Sequence, residues 1–331
     1  MTSYEKSGVS VERGNEAEEK IGQIVKKTFN KKVLAGVGSF SAVLDASFLK
    51  KFKNPVLMVT IDGAGTKTKV AAMAGKWRGI GEDVVNHCSN DLLCSGAKPF
   101  FFVDYLASSK LDVKVVSEIL EGMAGACKEL DCPLVGGETA EMPGVYIEKE
   151  ADVVGCMVGA AEKKQVFNPS NVKKGDILIG LASNGLHTNG FSLARKVLLE
   201  KHSLEDRLPG FHASLGEVLL APHKSYSKNI FSLMKKIKLK GVCHITGGGL
   251  IENVPRVLPK GRSFVLHENS WEVPEIFKLI QKEGAISDYE MLHSFNMGIG
   301  LCVVVAKKDS LRTLTELKKL KENAFVIGEV V

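Results

Sequence analysis

Four times along the chain a short apolar run stops at a cluster of glycines, and polar residues follow at once. VLMVTI runs into DGAGTK (56–67), CPLV into GGETAEMPG (132–144), DILIGLA into SNGLHTNG (176–190), and VCHIT into GGG (242–249). An apolar run of about four to eight residues bounded by turn residues reads as a buried strand. The chain is therefore built on short buried strands that hand glycine-rich segments to their carboxyl ends. Glycine accepts backbone angles closed to other residues and lets the main chain approach a ligand closely.

Other segments extend the pattern. Residues 100–107 (FFFVDYLA), 151–161, 264–267, 298–306 and 324–330 read as further strands. Helical spacing marks 80–95, 113–130, 191–200, 224–238, 274–283 and 310–321. Residues 1–55 are polar and Lys-rich, with an amphipathic stretch at 18–29. Strands and helices alternate in both halves, so the fold class is α/β or α+β. A polar loop, FNPSNVKKG, contains Pro169 and separates an N-terminal α/β domain at 1–166 from a C-terminal α/β domain at 167–331.

Length and charge narrow the function. A chain of 331 residues suits about two domains. With 44 basic and 38 acidic residues the net charge is +6, and the lysines are scattered, so no nucleic-acid partner is expected. A mild positive field favours anionic substrates such as phosphates. The seven cysteines form no CxxC pair, which suggests reduced, mostly buried thiols in the cytoplasm. The N-terminus lacks the apolar core of a signal peptide. The longest apolar run, 297–306, falls far short of the roughly 18 residues that span a bilayer, so no membrane partner is expected.

Several constellations can carry chemistry. Asp62 is followed by Gly63, Gly65, Thr66 and Lys67. A carboxylate, flexible N–H donors and an ammonium together suit phosphate and metal. The spacing is not that of a P-loop, and an ordinary tight turn is the competing reading. On the helix EDVVNHCSNDLLCSGA, Val84, Cys88 and Leu92 form an apolar stripe, while Asp83, His87 and Asp91 form a second one beside Asn86 and Asn90. The second stripe contains no Lys or Arg. Asn90 and Asp91 therefore stand as Mg²⁺ ligands against the alternative of a solvated face. Gly136 and Gly137 precede Glu138, Thr139 and Glu141, and such acids can hold a hard cation. His187 lies between Gly185 and Gly190, placed to donate to a phosphate or to move a proton. Asn189 is expected to cap the following helix. Gly247, Gly248 and Gly249 suit a backbone cradle for phosphate. GxSxG, HExxH, CxxC and GxGxxG are all missing, which argues against a serine hydrolase, a zinc centre of those kinds and a dinucleotide site.

Taken in order, YEKSGVSVERGNE, IDGAGTKTKVA, NDLLCSGAKPFFFVDYLA, LVGGETAEMPGVY, GLASNGLHTNGFSLARKV, HITGGGLIENVPRVLP and FNMGIGL before a final IGEV resemble the phosphoribosylformylglycinamidine cyclo-ligase family, the aminoimidazole ribonucleotide synthetases of purine biosynthesis. The resemblance covers nearly the whole chain. It implies ATP-dependent closure of formylglycinamidine ribonucleotide to aminoimidazole ribonucleotide, with release of ADP and phosphate. It also implies two α/β domains and a homodimer whose first domains join strands into a barrel. By the same resemblance Asp62, Asp91 and Glu138 hold Mg²⁺–ATP, Lys67 and the glycines beside it meet phosphates, and His187 contacts the reacting groups. Gly247, Gly248, Gly249 and Asn296 line the cleft from the second domain, and Asn90, Gly136, Gly137, Thr139 and Asn189 join the binding residues. The chain departs from the family in four places: DGAGTK for DGVGTK, HTNG for HSNG, HCSND for MCVND, and GVSV for GVDI. His87 thus adds an ionisable group and Ser10 removes a carboxylate. Another ATP-using enzyme of the same fold, or a silent nucleotide-binding scaffold, is the alternative.

Overall fold

The structure, a computed structural model, describes residues 11–331, so Ser10 lies outside the described residues. The described chain divides into two compact units. One extends to Leu92 and includes Ala97–Lys164; the other comprises Leu93–Gly96 and Gln165–Val331.

The first unit contains α1 (Val11–Val25), β1 (Val33–Ala35), β2 (Val43–Leu44), β3 (Pro55–Gly63), α2 (Lys67–Ala74), most of α3 (Arg78–Ser95), β4 (Lys98–Ser108), α4 (Val113–Glu129), β5 (Leu134–Glu141) and β6 (Ala151–Glu162). Its main sheet has the order β3-β6-β4-β5, with β4 and β5 parallel and the other pairs antiparallel. Side chains alternate between two unlike faces. Phe102, Leu106, Val153 and Met157 are buried on the helix-covered side. On the other side of β3, Leu57, Val59 and Ile61 are 58%, 66% and 67% exposed.

Glycine sets how closely the helices pack. A Cβ at Gly81 on α3 would overlap the Ile119 carbonyl of α4, and one at Gly122 on α4 would overlap the Arg78 carbonyl of α3. The two backbones therefore cross in direct contact. Asp112 caps α4, accepting from the N–H of Lys114 at 2.8 Å and of Val115 at 3.3 Å.

Three local expectations change. The DGAGTK segment, 62–67, read as a turn, ends at Lys67 in a helix that continues to Ala74 and has no counterpart among the expected helices. The GGETAE segment is strand rather than a turn after one, because β5 pairs with β4 through to Glu141. The apolar runs 56–61 and 100–107 suggest two edge strands paired across a dimer axis, but β4 lies between β6 and β5, and of the two only β3 is at an edge.

The second unit continues with β7 (Ile177–Ala182), α5 (Phe191–Leu199), α6 (Leu215–Leu219), α7 (Ser227–Met234), β8 (Gly241–His244), α8 (Gly249–Asn253), β9 (Phe264–Leu266), α9 (Glu275–Gly284), α10 (Asp288–Ser294), β10 (Ile299–Val305), α11 (Ser310–Lys319) and β11 (Ala324–Val330). Its sheet, β8-β10-β7-β11-β9, is antiparallel throughout. Both faces are covered. Ile179, Leu181, Leu301 and Val303 pack with Ile230, Leu233 and Leu317 on one side. Leu178, Cys302, Val304 and Ile327 pack with Leu250 and Val254 on the other. Continuous apolar runs at 177–182 and 299–305 follow from this two-sided burial. Antiparallel pairing dominates, so of the two expected fold classes the chain adopts α+β. All seven cysteines are free thiols. Among the described residues no helix is long and apolar enough to cross a membrane.

The α3–α4 crossing gives a direct test. Gly81→Ala forces a methyl group into the Ile119 carbonyl, and overpacking of this kind costs roughly 1–3 kcal/mol. The variant is expected to unfold at lower urea concentration with an unchanged m-value. An unshifted midpoint would show that the helices have room to separate.

Candidate active site

In the first unit the chemistry gathers where β3 meets α3. Strand alternation turns Thr60 and Asp62 to the helix-covered face, and α3 brings His87 and Asp91 to them. Thr60 Oγ1 donates to Asp91 Oδ2 at 3.3 Å. His87 Nε2 lies 3.4 Å from Asp62 Oδ2. Burial, and then the negative charge and hydrogen bonding of Asp91, push the Asp62 carboxyl up to about 6. Two carboxylates held together in part-shielded surroundings repel when both are ionised. A hard cation removes that repulsion, and the oxygens of Asp62, Asp91 and Thr60 fit Mg²⁺ chemistry.

Glu138 does not join this cluster. The cross-strand row Asp62, Gly155, Asp104, Gly137 places Gly137 three strands from Asp62, or roughly 14 Å at the usual strand spacing. Glu138 is the next residue, exposed and on the opposite face. The expected convergence of all three acids is thus corrected: within this chain only Asp62 and Asp91 come together.

Lys67 also departs from expectation. Its Nζ lies 2.9 Å from both oxygens of Asp83, and neither side chain has any exposure. Burial lowers the Lys67 pKa, while Asp83 opposes that shift. The ammonium therefore ties the first turn of α2 to α3 and is closed to a phosphate. The polar stripe of α3 is buried rather than solvated: Asp83 and Asn90 have no exposure and His87 has 4%.

The preceding turn fits a phosphate better. Gly65 has φ +60°, and Thr66 stands at the N-cap of α2 without a side-chain capping bond. Gly63 is partly exposed beside them. Main-chain N–H groups at such a helix start favour anions. On β5, Gly136 borders open space, whereas a Cβ at Gly137 would overlap the Asp104 carboxylate. Thr139 is partly buried further along. Burial raises the Asp104 carboxyl to about 7. Asp104 escaped the sequence reading because one acid inside an apolar strand carries no spacing signal.

In the second unit two glycine loops come together. Asn189 Oδ1 lies 3.5 Å from the place a Gly247 Cβ would take. Asn189 is not the cap of α5: Gly190, at φ +78°, holds that position. Asn296 acts as a bracket. Its Nδ2 donates to Gly185 O at 2.9 Å, and its Oδ1 accepts from Ser183 Oγ at 3.0 Å and Gly298 N at 2.8 Å. Asn253, which sequence reasoning passed over, donates to Gly247 O at 3.0 Å and Gly249 O at 2.7 Å. It holds the GGG turn with its carbonyls inward. The Gly249 N–H is engaged by Thr246 O at 3.0 Å, so the expected three-amide cradle begins with Gly247 and Gly248.

His187 is 1% exposed and has φ +63°. Its ring stacks on His223 at 4.1 Å between centroids. His223 Nε2 in turn lies 2.9 Å from His244 Nε2. Neither partner was singled out from sequence, since each is a lone histidine far from the other.

Two units of this kind, a four-stranded sheet carrying a carboxylate pair and a five-stranded antiparallel sheet carrying glycine turns, define an AIR synthase-like protein. Family models match both: "AIR synthase related protein, N-terminal domain" over residues 42–161 and "AIR synthase related protein, C-terminal domain" over 173–331. A curated relative from Thermoanaerobacter pseudethanolicus, phosphoribosylformylglycinamidine cyclo-ligase, is 46% identical over 99% of this chain and 97% of its own length. Among solved structures, thiamine-monophosphate kinase from Stenotrophomonas maltophilia has a TM-score of 0.71 at 17% identity, covering 94% of this chain and 92% of that one. Hydrogenase maturation protein HypE in complex with ATP has a TM-score of 0.64 at 16% identity, covering 93% and 83%. At such identities these two show the fold alone. The chain belongs to the phosphoribosylformylglycinamidine cyclo-ligase family.

The carboxylate pair has a measurable signature. The Asp62 carboxyl titrates near 6 in the fold against 3.8 for the free group, so the folded chain binds the extra proton between those values. Stability from this group is therefore lost as pH rises through that window. Asp91→Asn removes the opposing charge. With a chelator present, the variant is expected to melt above wild type at pH 8, with the gain shrinking by pH 5. A lower melting temperature at both pH values would contradict repulsion between the two acids.

Proposed function

We infer that this protein closes the imidazole ring of purine biosynthesis, converting formylglycinamidine ribonucleotide and ATP to aminoimidazole ribonucleotide, ADP and phosphate. Family membership over the full length names the reaction. The observation in the fold that supports it best is the Asp62–Asp91 pair beside the Gly63–Thr66 turn, a hard-cation site next to backbone donors.

An amide oxygen is a poor leaving group. Phosphorylation of the formyl oxygen by ATP activates the carbon, the amidine nitrogen attacks it, and phosphate departs with that oxygen. Bound Mg²⁺ would neutralise charge on the phosphates as it builds. Asp62 and Asp91 would hold the ion, with Thr60 orienting Asp91. The N–H groups of Gly63, Gly65 and Thr66 would approach phosphate oxygens, and the Lys67–Asp83 pair keeps that turn against α3. Asn90, Gly136 and Thr139 remain binding candidates of the first unit, and Asn189, Gly247 and Gly248 of the second. His187 is the candidate for handling the proton released during cyclisation. Free thiols suit a reducing compartment, in keeping with a cytoplasmic enzyme.

We also propose a homodimer. Leu57, Val59 and Ile61 form an apolar row on the uncovered face of an edge strand. Such edges are paired or covered in stable proteins, and a second copy across a two-fold axis covers both at once. Strands from the two copies would then close into the expected barrel.

Turnover tests the reaction. ADP release from Mg²⁺–ATP is expected only with formylglycinamidine ribonucleotide present, matched one-to-one by aminoimidazole ribonucleotide. Release of ADP without that substrate, or none with it, would overturn the reading. Light scattering at micromolar concentration is expected to give twice the chain mass for wild type and a smaller species for Val59→Glu. A monomeric wild type would remove the dimer.

A further inference from the structure

Three buried imidazoles meet inside the second unit, contributed by three separate segments. His187 comes from the loop before α5, His223 from the segment before α7, and His244 from the end of β8. Their exposures are 1%, 1% and 4%. One nitrogen from each lies within 4.8 Å of the others. The His187 and His223 rings stack at 4.1 Å with an interplanar angle of 21°, and the His223 and His244 ring centroids are 4.9 Å apart.

The surroundings hold these rings in place. His187 occupies the left-handed backbone region at φ +63°, uncommon for a residue with a side chain. A Cβ at Gly300 would overlap both His187 Cε1 and the Tyr226 hydroxyl, so β10 leaves room for the imidazole. Tyr226 Oη donates to Ala182 O at 2.9 Å. Thr188 Oγ1 lies 3.3 Å from His223 Nδ1. The main-chain N–H of His244 donates to Cys94 Sγ at 3.2 Å.

We propose that His187, His223 and His244 form a binding site for a borderline divalent transition-metal ion of the Zn²⁺ class, with three imidazole ligands and an open fourth position. All-nitrogen donors select such an ion over Mg²⁺, which prefers oxygen. Zinc–imidazole bonds of about 2.0–2.1 Å in tetrahedral geometry set nitrogen separations of about 3.3 Å. The 2.9 Å contact between His223 Nε2 and His244 Nε2 has to open by a few tenths of an ångström, and His187 has to close in. Ring rotations about side-chain bonds supply both movements. When the ion is bound, His223 Nδ1–H donates to Thr188 Oγ1, which fixes the tautomer and aims Nε2 at the metal. The shared proton of the 223–244 contact gives way to the ion, and His244 carries its hydrogen on Nδ1. Ligand geometry alone creates the site, but it shares His187 with the cyclisation reading, and a bound ion would withdraw that imidazole from proton transfer.

The test uses the full chain, stripped with a chelator and titrated with Co²⁺ in millimolar Mg²⁺. One equivalent is expected to bind and to develop the intense visible ligand-field bands of a four-coordinate nitrogen-ligated site, which Zn²⁺ then abolishes. His223→Gln is expected to lose the bands and to weaken affinity beyond the about 10–100-fold that loss of an outer-shell partner costs. Its metal-free melting temperature reports whether the fold survives. If that variant fails to fold, Thr188→Val serves instead, with affinity expected to fall about 10–100-fold. Absence of the bands in wild type, or bands and affinity that persist in His223→Gln or, in its place, in Thr188→Val, would overturn the proposal.

Discussion

Gly155 leaves room on the sheet for the Phe102 ring and for Val84, and through that room α3 comes down onto β3, β6 and β4. Three polar contacts of the first unit's site join α3 to the strand and turn beneath it. With α3 seated, Asp91 reaches Thr60, His87 reaches Asp62, and Asp83 meets Lys67 at 2.9 Å. The buried ion pair contributes little by itself, since desolvation offsets most of its attraction. Its role is positional, because an uncompensated charge is the penalty for any other arrangement of α2 and α3. The carboxylate pair is the reverse case. It is an arrangement the fold tolerates at a cost, as the raised Asp62 carboxyl records.

The second unit solves a different problem, holding flexible turns still. Glycine loops lose more entropy on ordering than other segments. Two buried amides, Asn253 and Asn296, bind the loop carbonyls and leave less freedom to lose. The nearby imidazoles offer borderline nitrogen donors, whereas the first unit offers hard oxygens. One chain thus presents two donor chemistries on two separately built sheets, and each suits a different class of ion.

The sheets also differ in what covers them. The five-stranded sheet is packed on both faces, and its strands read as unbroken apolar runs. Among the described residues the four-stranded sheet has helices on one face only. Alternating polar residues would make the other face compatible with water, yet β3 presents Leu57, Val59 and Ile61 there. That inconsistency between strand pattern and burial is the observation on which the proposal of a homodimer rests.

The longer strands and helices were legible because burial imposes a period, and β11 at 324–330 coincides with its apolar run, whereas the short helices at 67–74, 215–219 and 288–294 carried no such signal. Family and reaction were legible because order and spacing of several glycine-rich segments survive in the linear sequence. The apolar stripe Val84, Cys88 and Leu92 was legible for the same periodic reason. The partner of each polar residue was not. Lys67 looked like a phosphate ligand until its depth became known, and Glu138 looked like a metal ligand until the register of β5 on β4 put it on the opposite face. His223 and His244, 21 residues apart, meet only because β8 and the approach to α7 converge. Local pattern is written in neighbouring residues, so the sequence by itself determined the elements and the family. Contact between distant side chains depends on sheet order, register and helix depth, and these only the tertiary structure decided.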